Sequence, residues 1–174
     1  REASTIETIC REHHATEIRV SKSDAERYAI WGARRASLPS LARIKPTCIL
    51  EDATVPRSKV PAMLQAVVDI AERNGLLIGT FGHAGDGNLH PTIICDERDP
   101  EEMERVEKAI DEIFEAALRL DGTLSGEHGI GTAKRKYLEQ EFGTTGVAAM
   151  RAVKMALDPK NLLNPGKVLE AEPC

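Results

Sequence analysis

The chain has 174 residues, a formal net charge of −5, 41% hydrophobic residues and 29% charged residues. That is the balance of a globular domain with a core of its own. An acidic chain with no basic stripe and only 3% aromatic residues is not built to hold nucleic acid by charge or by base stacking. No apolar run approaches the roughly 20 residues that span a bilayer, and no signal peptide is evident.

Taken in order, residues 1–14 predict a short polar helix with Ile6 and Ile9 as its apolar edge and His13 and His14 solvated at its end. The chain starts inside this helix without a Met, as expected of a piece of a longer protein. Ala15 to Val20 alternates polar and apolar residues and predicts a strand. Ser21 to about Ser37 predicts a helix capped by Ser21 or Ser23, with Ala25, Tyr28, Ala29 and Trp31 at helical spacing. Arg34 lies three residues after Trp31, on the same face; from composition alone Arg34 and Arg35 read as a surface pair. Leu38 to Pro46 is expected as a loop. Cys48 to Val55 is expected as one strand ending at Pro56, which cannot continue a ladder.

Ser58 to Asn74 predicts an amphipathic helix burying Val60, Met63, Leu64, Val67, Val68 and Ala71, with Gly75 as its stop. Two apolar runs of strand length, 76–81 and 92–95, follow. Asp99-Pro100-Glu101-Glu102 starts a long helix, its acidic first turn favoured by the helix dipole. That helix carries a stripe of Met103, Val106, Ile110, Ile113, Phe114, Ala117 and Leu118 and ends at Gly122. Two further helices are expected at about 132–142 and 144–157, then an irregular tail, 158–167, rich enough in apolar residues to pack onto something. The order of elements predicts an α+β fold, an antiparallel sheet with helices packed on one face, over 1–125, with a C-terminal helical region and tail over 126–174. Cys10, Cys48, Cys95 and Cys174 are scattered, with no C-x-x-C pair, which fits reduced thiols in a cytoplasmic compartment.

Two glycine-rich stretches carry the chemistry. The first is Gly82-His83-Ala84-Gly85-Asp86-Gly87-Asn88-Leu89-His90. Asp86-Gly87 between strand-like runs is a strong hairpin signal. A two-residue turn there would set His83 directly opposite His90, with Cβ atoms roughly 4.5–5.5 Å apart. A one-residue slip would put the rings on opposite faces. Either histidine alone reads more readily as a hydrogen-bonded core residue than as a ligand; the pair can share a divalent cation, which then needs a third ligand and an open position. The Asp spacing and distal Glu of a calcium-binding EF-hand are missing.

The second stretch is Ser125-Gly126-Glu127-His128-Gly129-Ile130-Gly131. Glu127 is a candidate third ligand. His128, as its neighbour, is expected to point elsewhere and be free to act as a base. No phosphate loop fits, because Gly131 is not followed by Lys-Ser/Thr.

These motifs, with Asp158-Pro159-Lys160-Asn161-Leu162-Leu163-Asn164-Pro165-Gly166-Lys167, Trp31-x-x-Arg34 and Glu51-Asp52-x-x-Val55-Pro56, resemble the C-terminal domain of FAD-linked oxidases. These are the vanillyl-alcohol-oxidase-type flavoproteins, in the branch holding the glycolate oxidase flavin subunit, D-lactate dehydrogenase and D-2-hydroxyglutarate dehydrogenase. The resemblance covers about residues 26–169. It implies a ferredoxin-like cap domain and a 2-hydroxy acid substrate converted to a 2-keto acid. His83, His90 and Glu127 match ligands of zinc or manganese, and His128 matches the catalytic base. Asn88 matches a residue lining the substrate site, Arg34 one that grips the substrate carboxylate, and Asn164 a tail residue near the flavin. Leu50 and Thr92 stand where the hydroxyglutarate branch has a lysine and an asparagine, which favours glycolate or D-lactate. FAD itself would be bound mainly by an N-terminal domain outside this chain, without which the chain is expected to be inactive. Other oxidase subunits, a cytoplasmic location and peripheral attachment at the inner membrane follow from the same resemblance. Two other readings compete: a non-catalytic metal-binding module, and a metal-dependent hydrolase using the same His, His and Glu.

Overall fold

The computed structural model describes residues 2–169, so Cys174 lies outside the described residues. The chain divides into two compact units, Arg1–Arg43 and Ile44–Cys174.

The first unit is two helices, α1 (Glu2–Glu12) and α2 (Asp24–Leu41), neither with a buried residue. Ser23 caps α2 through its side chain, which accepts from the Glu26 N–H, so of the two candidate caps the later one is used. The strand expected over 15–20 does not form; those residues have no regular structure. A strand needs a ladder partner, and alternation alone does not supply one. Glu17 and Arg19 pair with each other at 2.6 Å instead. The loop expected from Leu38 begins later, because α2 continues to Leu41 with Pro39 in its last turn.

The second unit holds a four-stranded antiparallel sheet of β1 (Thr47–Leu50), β2 (Ala53–Thr54), β3 (Leu77–His83) and β4 (Asn88–Cys95). β4 is central. β3 lies along one side, and β1 and β2 lie end to end along the other. The single strand expected over 48–55 is thus broken at Glu51-Asp52. A further antiparallel bridge, Thr54 to Thr123, completes the β-α-β-β-α-β order of a ferredoxin-like sandwich.

Helices α3 (Val60–Asn74) and α4 (Pro100–Arg119) cover one face. Asp99 caps α4, its side chain accepting from the N–H groups of Glu101 and Glu102. Gly75 ends α3 in the left-handed conformation. Met63, Val67 and Ile70 of α3 and Val106, Ala109 and Ile113 of α4 pack against Ala53, Leu89, Ile93 and Cys95 of the sheet. Leu64 and Val68, expected inside, are exposed; the buried stripe of α3 runs through Ile70 instead. Because side chains alternate along a strand, Asn88, His90, Thr92 and Ile94 belong to the opposite face, and all of β4 is buried. One face of the sheet therefore makes the core and the other presents the imidazoles.

The C-terminal part is α5 (Leu138–Leu157), which Gly143, with φ 65° and ψ 170°, divides in two. The second piece matches the helix expected over 144–157, but the one expected over 132–142 is α-helical only from Leu138, after turn residues and a 3-10 turn at Arg135–Tyr137. Among the described residues no helix is long and apolar enough to cross a membrane.

Candidate metal centre

The hairpin joining β3 to β4 has a different turn from the one the Asp-Gly pair predicts. His83 pairs with Asn88, Gly82 with Leu89 and Phe81 with His90. The loop is therefore four residues, 84–87, with the N–H groups of Asp86 and Gly87 both donating to the His83 carbonyl at 2.9 and 3.1 Å. Only Gly87, not Asp86, has positive φ, at 78°, so the turn is not type I′. Gly87 sits hard against Val55, the residue after β2: the Val55 N–H donates to the Gly87 carbonyl at 3.0 Å, and a Cβ at Gly87 would lie 2.1 Å from the Val55 oxygen. The register differs from the expected one by two residues. Since the side-chain period is also two, His83 and His90 remain on one face, diagonally related. Their ring centroids are 5.3 Å apart.

The second glycine-rich stretch comes to meet them. Leu124 is fully buried in a small cluster with Phe114 and Tyr137, and its N–H donates to the Glu141 carboxylate at 3.0 Å. This pins the start of the loop. Gly126 then passes so close to the sheet that a Cβ there would lie 2.3 Å from Thr54 Oγ1 and 2.9 Å from Asn88 Nδ2. Glu127 Oε1 ends 2.9 Å from His90 Nε2 and 3.5 Å from His83 Nε2. The two imidazoles and the carboxylate offer one donor atom each, all within 4.8 Å of one another. Ligands at zinc-like bond lengths of about 2.0–2.1 Å stand roughly 3.3 Å apart around a tetrahedral ion, and the two separations from Glu127 Oε1, 2.9 and 3.5 Å, lie on either side of that. The donor chemistry and spacing fit a divalent metal. His90 is buried, and the nitrogen it turns toward Glu127 is Nε2.

His128 does not point away from this cluster as expected. Its ring stacks on that of His90, centroids 5.0 Å apart and 6° from parallel, with Nε2 3.9 Å from Glu127 Oε1. Adjacent residues can aim together here because the loop is curled rather than extended, and Gly129 with φ 80° continues the curl. Asn88 is buried beside His83 in the ladder, with Oδ1 unpartnered. Arg34 is exposed on α2, in the first unit. Asn164 is in a left-handed conformation, φ 48°. It lines a cavity of about 680 Å³ at the end of α5 with Met155, Leu163 and Lys167, and is not part of the ligand cluster. A smaller cleft of about 380 Å³ opens beside Glu127, lined by Ile130, Phe142 and Met150 among others.

Two residues that sequence reasoning did not single out as functional hold the loop. Asp52, fully buried at the strand break, accepts through Oδ2 from the Ser125 hydroxyl and from the N–H groups of Gly126, Glu127 and His128. Burial alone would raise its pKa; the Ser125 hydroxyl and the three N–H groups outweigh burial and hold the carboxyl below its usual range. Lys134, also buried, donates to the carbonyls of Asp52 and Leu124 at 3.0 and 2.8 Å. Burial pushes its pKa down, against the pull of Asp52 and Glu51. Burial likewise pushes the neighbouring Glu51 carboxyl up, with Lys134 and His128 opposing. The signal was there: two adjacent carboxylates inside an apolar strand pattern, where a buried charge needs partners.

The profile of the family described as FAD linked oxidases, C-terminal domain, matches residues 1–168. The chain is 52% identical over 168 residues to the glycolate oxidase subunit GlcD of Bacillus subtilis, covering 97% of this chain and 36% of that protein. It is 37% identical over 153 residues to the subunit of the same name in Escherichia coli K12, covering 88% and 31%. A probable mitochondrial D-lactate dehydrogenase of Danio rerio is 34% identical over 171 residues, covering 97% and 34%. The chain thus spans about a third of the length of these relatives. With the family profile matched almost end to end, the chain belongs to the FAD linked oxidases, as their C-terminal domain.

Proposed function

We propose that this chain is the metal- and substrate-binding part of an FAD-dependent 2-hydroxy-acid oxidoreductase of the glycolate or D-lactate type. The observation that carries the reading is the convergence of His83, His90 and Glu127 from two distant segments, with the His128 ring stacked beside them. His83, His90 and Glu127 would hold zinc or manganese, which when bound polarises a coordinated hydroxyl and lowers its pKa. FAD, bound mainly by the part of the protein outside this chain, supplies the hydride acceptor.

The chain's own residues do the rest. His128 takes the hydroxyl proton of the substrate at a ring nitrogen, the side chain suited to that task near neutral pH. Arg34 meets the substrate carboxylate with two parallel hydrogen bonds. Asn88 lines the substrate site from β4, and Asn164 approaches the flavin from the tail. The region 1–125 supplies the two imidazole ligands, and the region 126–174 supplies the carboxylate ligand and the base. The 2-hydroxy acid loses the hydroxyl proton and the carbon-bound hydrogen, the latter as hydride, and leaves as the 2-keto acid. The whole protein works in the cytoplasm, at the inner-membrane surface when joined to other oxidase subunits.

Calorimetric titration tests this. The chain is loaded with Zn2+ or Mn2+ and titrated with glycolate and with D-lactate. Metal-dependent binding of a hydroxy acid is expected. Tight metal binding with no affinity for either acid would favour the non-catalytic module instead.

A further inference from the structure

The segment that carries Glu127 and His128 is organised by a charge outside the ligand set. Asp52 Oδ2 accepts from Ser125 Oγ at 2.6 Å and from the N–H groups of Gly126, Glu127 and His128 at 3.0, 3.1 and 2.9 Å. Four donors from four consecutive residues reach one oxygen only if the backbone curls around it, the concave arrangement of N–H groups that suits an anion. Ser125 Oγ in turn accepts from the Gly129 N–H at 2.7 Å, which closes the curl.

Lys134 completes the arrangement. Its side chain is 5% exposed and its Nζ lies 3.7 Å from Asp52 Oδ2. By donating to the Asp52 and Leu124 carbonyls it ties the strand break to the residue that precedes the loop. The Glu127 side chain is about half exposed, so little packing aims it; its direction is inherited from its backbone. The two imidazoles come from the β3–β4 hairpin, to which, among the described residues, the Asp52 carboxylate makes no hydrogen bond. Loss of the Asp52 charge would weaken all four of these charge-assisted hydrogen bonds at once and loosen the loop from the sheet, with the histidines left in place.

We propose that Asp52 is the positioning residue of the metal centre, with Lys134 as its counter-charge, and that the pair presets Glu127 against His83 and His90 before any ion arrives. This rests on the reading of those three residues as metal ligands. Partners of this outer kind typically contribute about 10–100-fold to metal affinity.

The test is Zn2+ affinity by chelator competition for the wild-type chain, Asp52→Asn and Lys134→Met, with amide hydrogen exchange of Gly126, Glu127 and His128 in the metal-free proteins. Asp52→Asn keeps the side-chain volume and removes the charge. It is expected to bind Zn2+ about 10–100-fold more weakly with an unchanged circular dichroism spectrum. The three amides should lose protection while those of β4 keep it. Lys134→Met leaves the carboxylate and its donors in place and should weaken Zn2+ in the same direction. A folded Asp52→Asn chain with wild-type affinity and wild-type protection overturns the proposal and leaves the metal reading standing. So does wild-type affinity in Lys134→Met should Asp52→Asn fail to fold. A wild-type chain that binds no Zn2+ overturns both.

Discussion

At the scale of single residues, the centre separates affinity from stability. Glu127 is half exposed and faces the imidazoles, so its removal costs little folding free energy, while a three-donor site that loses one donor loses most of its hold on an ion. Glu127→Gln is expected to weaken Zn2+ binding by more than about 100-fold, beyond the effect of an outer partner. It should shift unfolding free energy by no more than about 0.5 kcal/mol. Chelator competition and urea denaturation check the two halves. Gly126→Ala acts by a different route. A Cβ would meet Thr54 Oγ1 and Asn88 Nδ2 well inside contact distance, so the loop must lift and carry Glu127 with it. Expected are a loss of Zn2+ affinity and a lower unfolding midpoint together, measured in the same two experiments.

At the scale of elements, the β3–β4 hairpin depends on Gly87 for two independent reasons: a φ of 78° and the close approach of the Val55 carbonyl. Gly87→Ala is expected to destabilise the chain by at least about 1 kcal/mol through backbone strain alone, and by more because the contact with β2 must open. The urea midpoint reads this, and the amide of Val55, which donates to the Gly87 carbonyl, should lose exchange protection first. This hairpin also shows how a sequence inference can fail in detail and survive in consequence. Asp86-Gly87 predicts a two-residue turn, but the closure at Val55 and the two N–H groups on the His83 carbonyl favour a four-residue loop. The shift is even, so both histidines stay on the face away from α3 and α4.

At the scale of the whole molecule, the tail is clamped to α5 by Asp158, whose carboxylate takes the Lys154 ammonium and the N–H groups of Leu162 and Leu163. The Lys154 bond first, then the two N–H groups, lower its pKa to about 2. A carboxyl held lower in the folded state than in the unfolded one stabilises above its unfolded pKa, and that contribution is lost as pH falls through the folded value. The stability difference between wild type and Asp158→Asn is therefore expected to be full above about pH 4 and to vanish as pH falls through about 2. Denaturant titration at a series of pH values checks it. Because the chain spans about a third of the length of its relatives, the chain supplied with FAD and either glycolate or D-lactate is expected to reduce no redox dye. Robust turnover would show that the flavin site is here.

The α+β class, the two core helices and the three side chains that cluster were legible in local pattern, and the family in the resemblance its motifs carry. Apolar spacing marks α3 and α4, Asp99 and Gly75 mark their ends, and His83, His90 and Glu127 sit in glycine-rich stretches that no helix would tolerate. Local pattern did not decide that residues 15–20 stay out of a sheet, that the strand over 48–55 breaks, or that His128 turns toward His90. Each of those depends on a partner far along the chain: a missing ladder neighbour, a loop 73 to 76 residues away that needs the Asp52 charge, and a backbone curled around that charge. Periodicity records which side of an element is apolar; which buried charge meets which distant N–H group exists only once the chain has closed on itself.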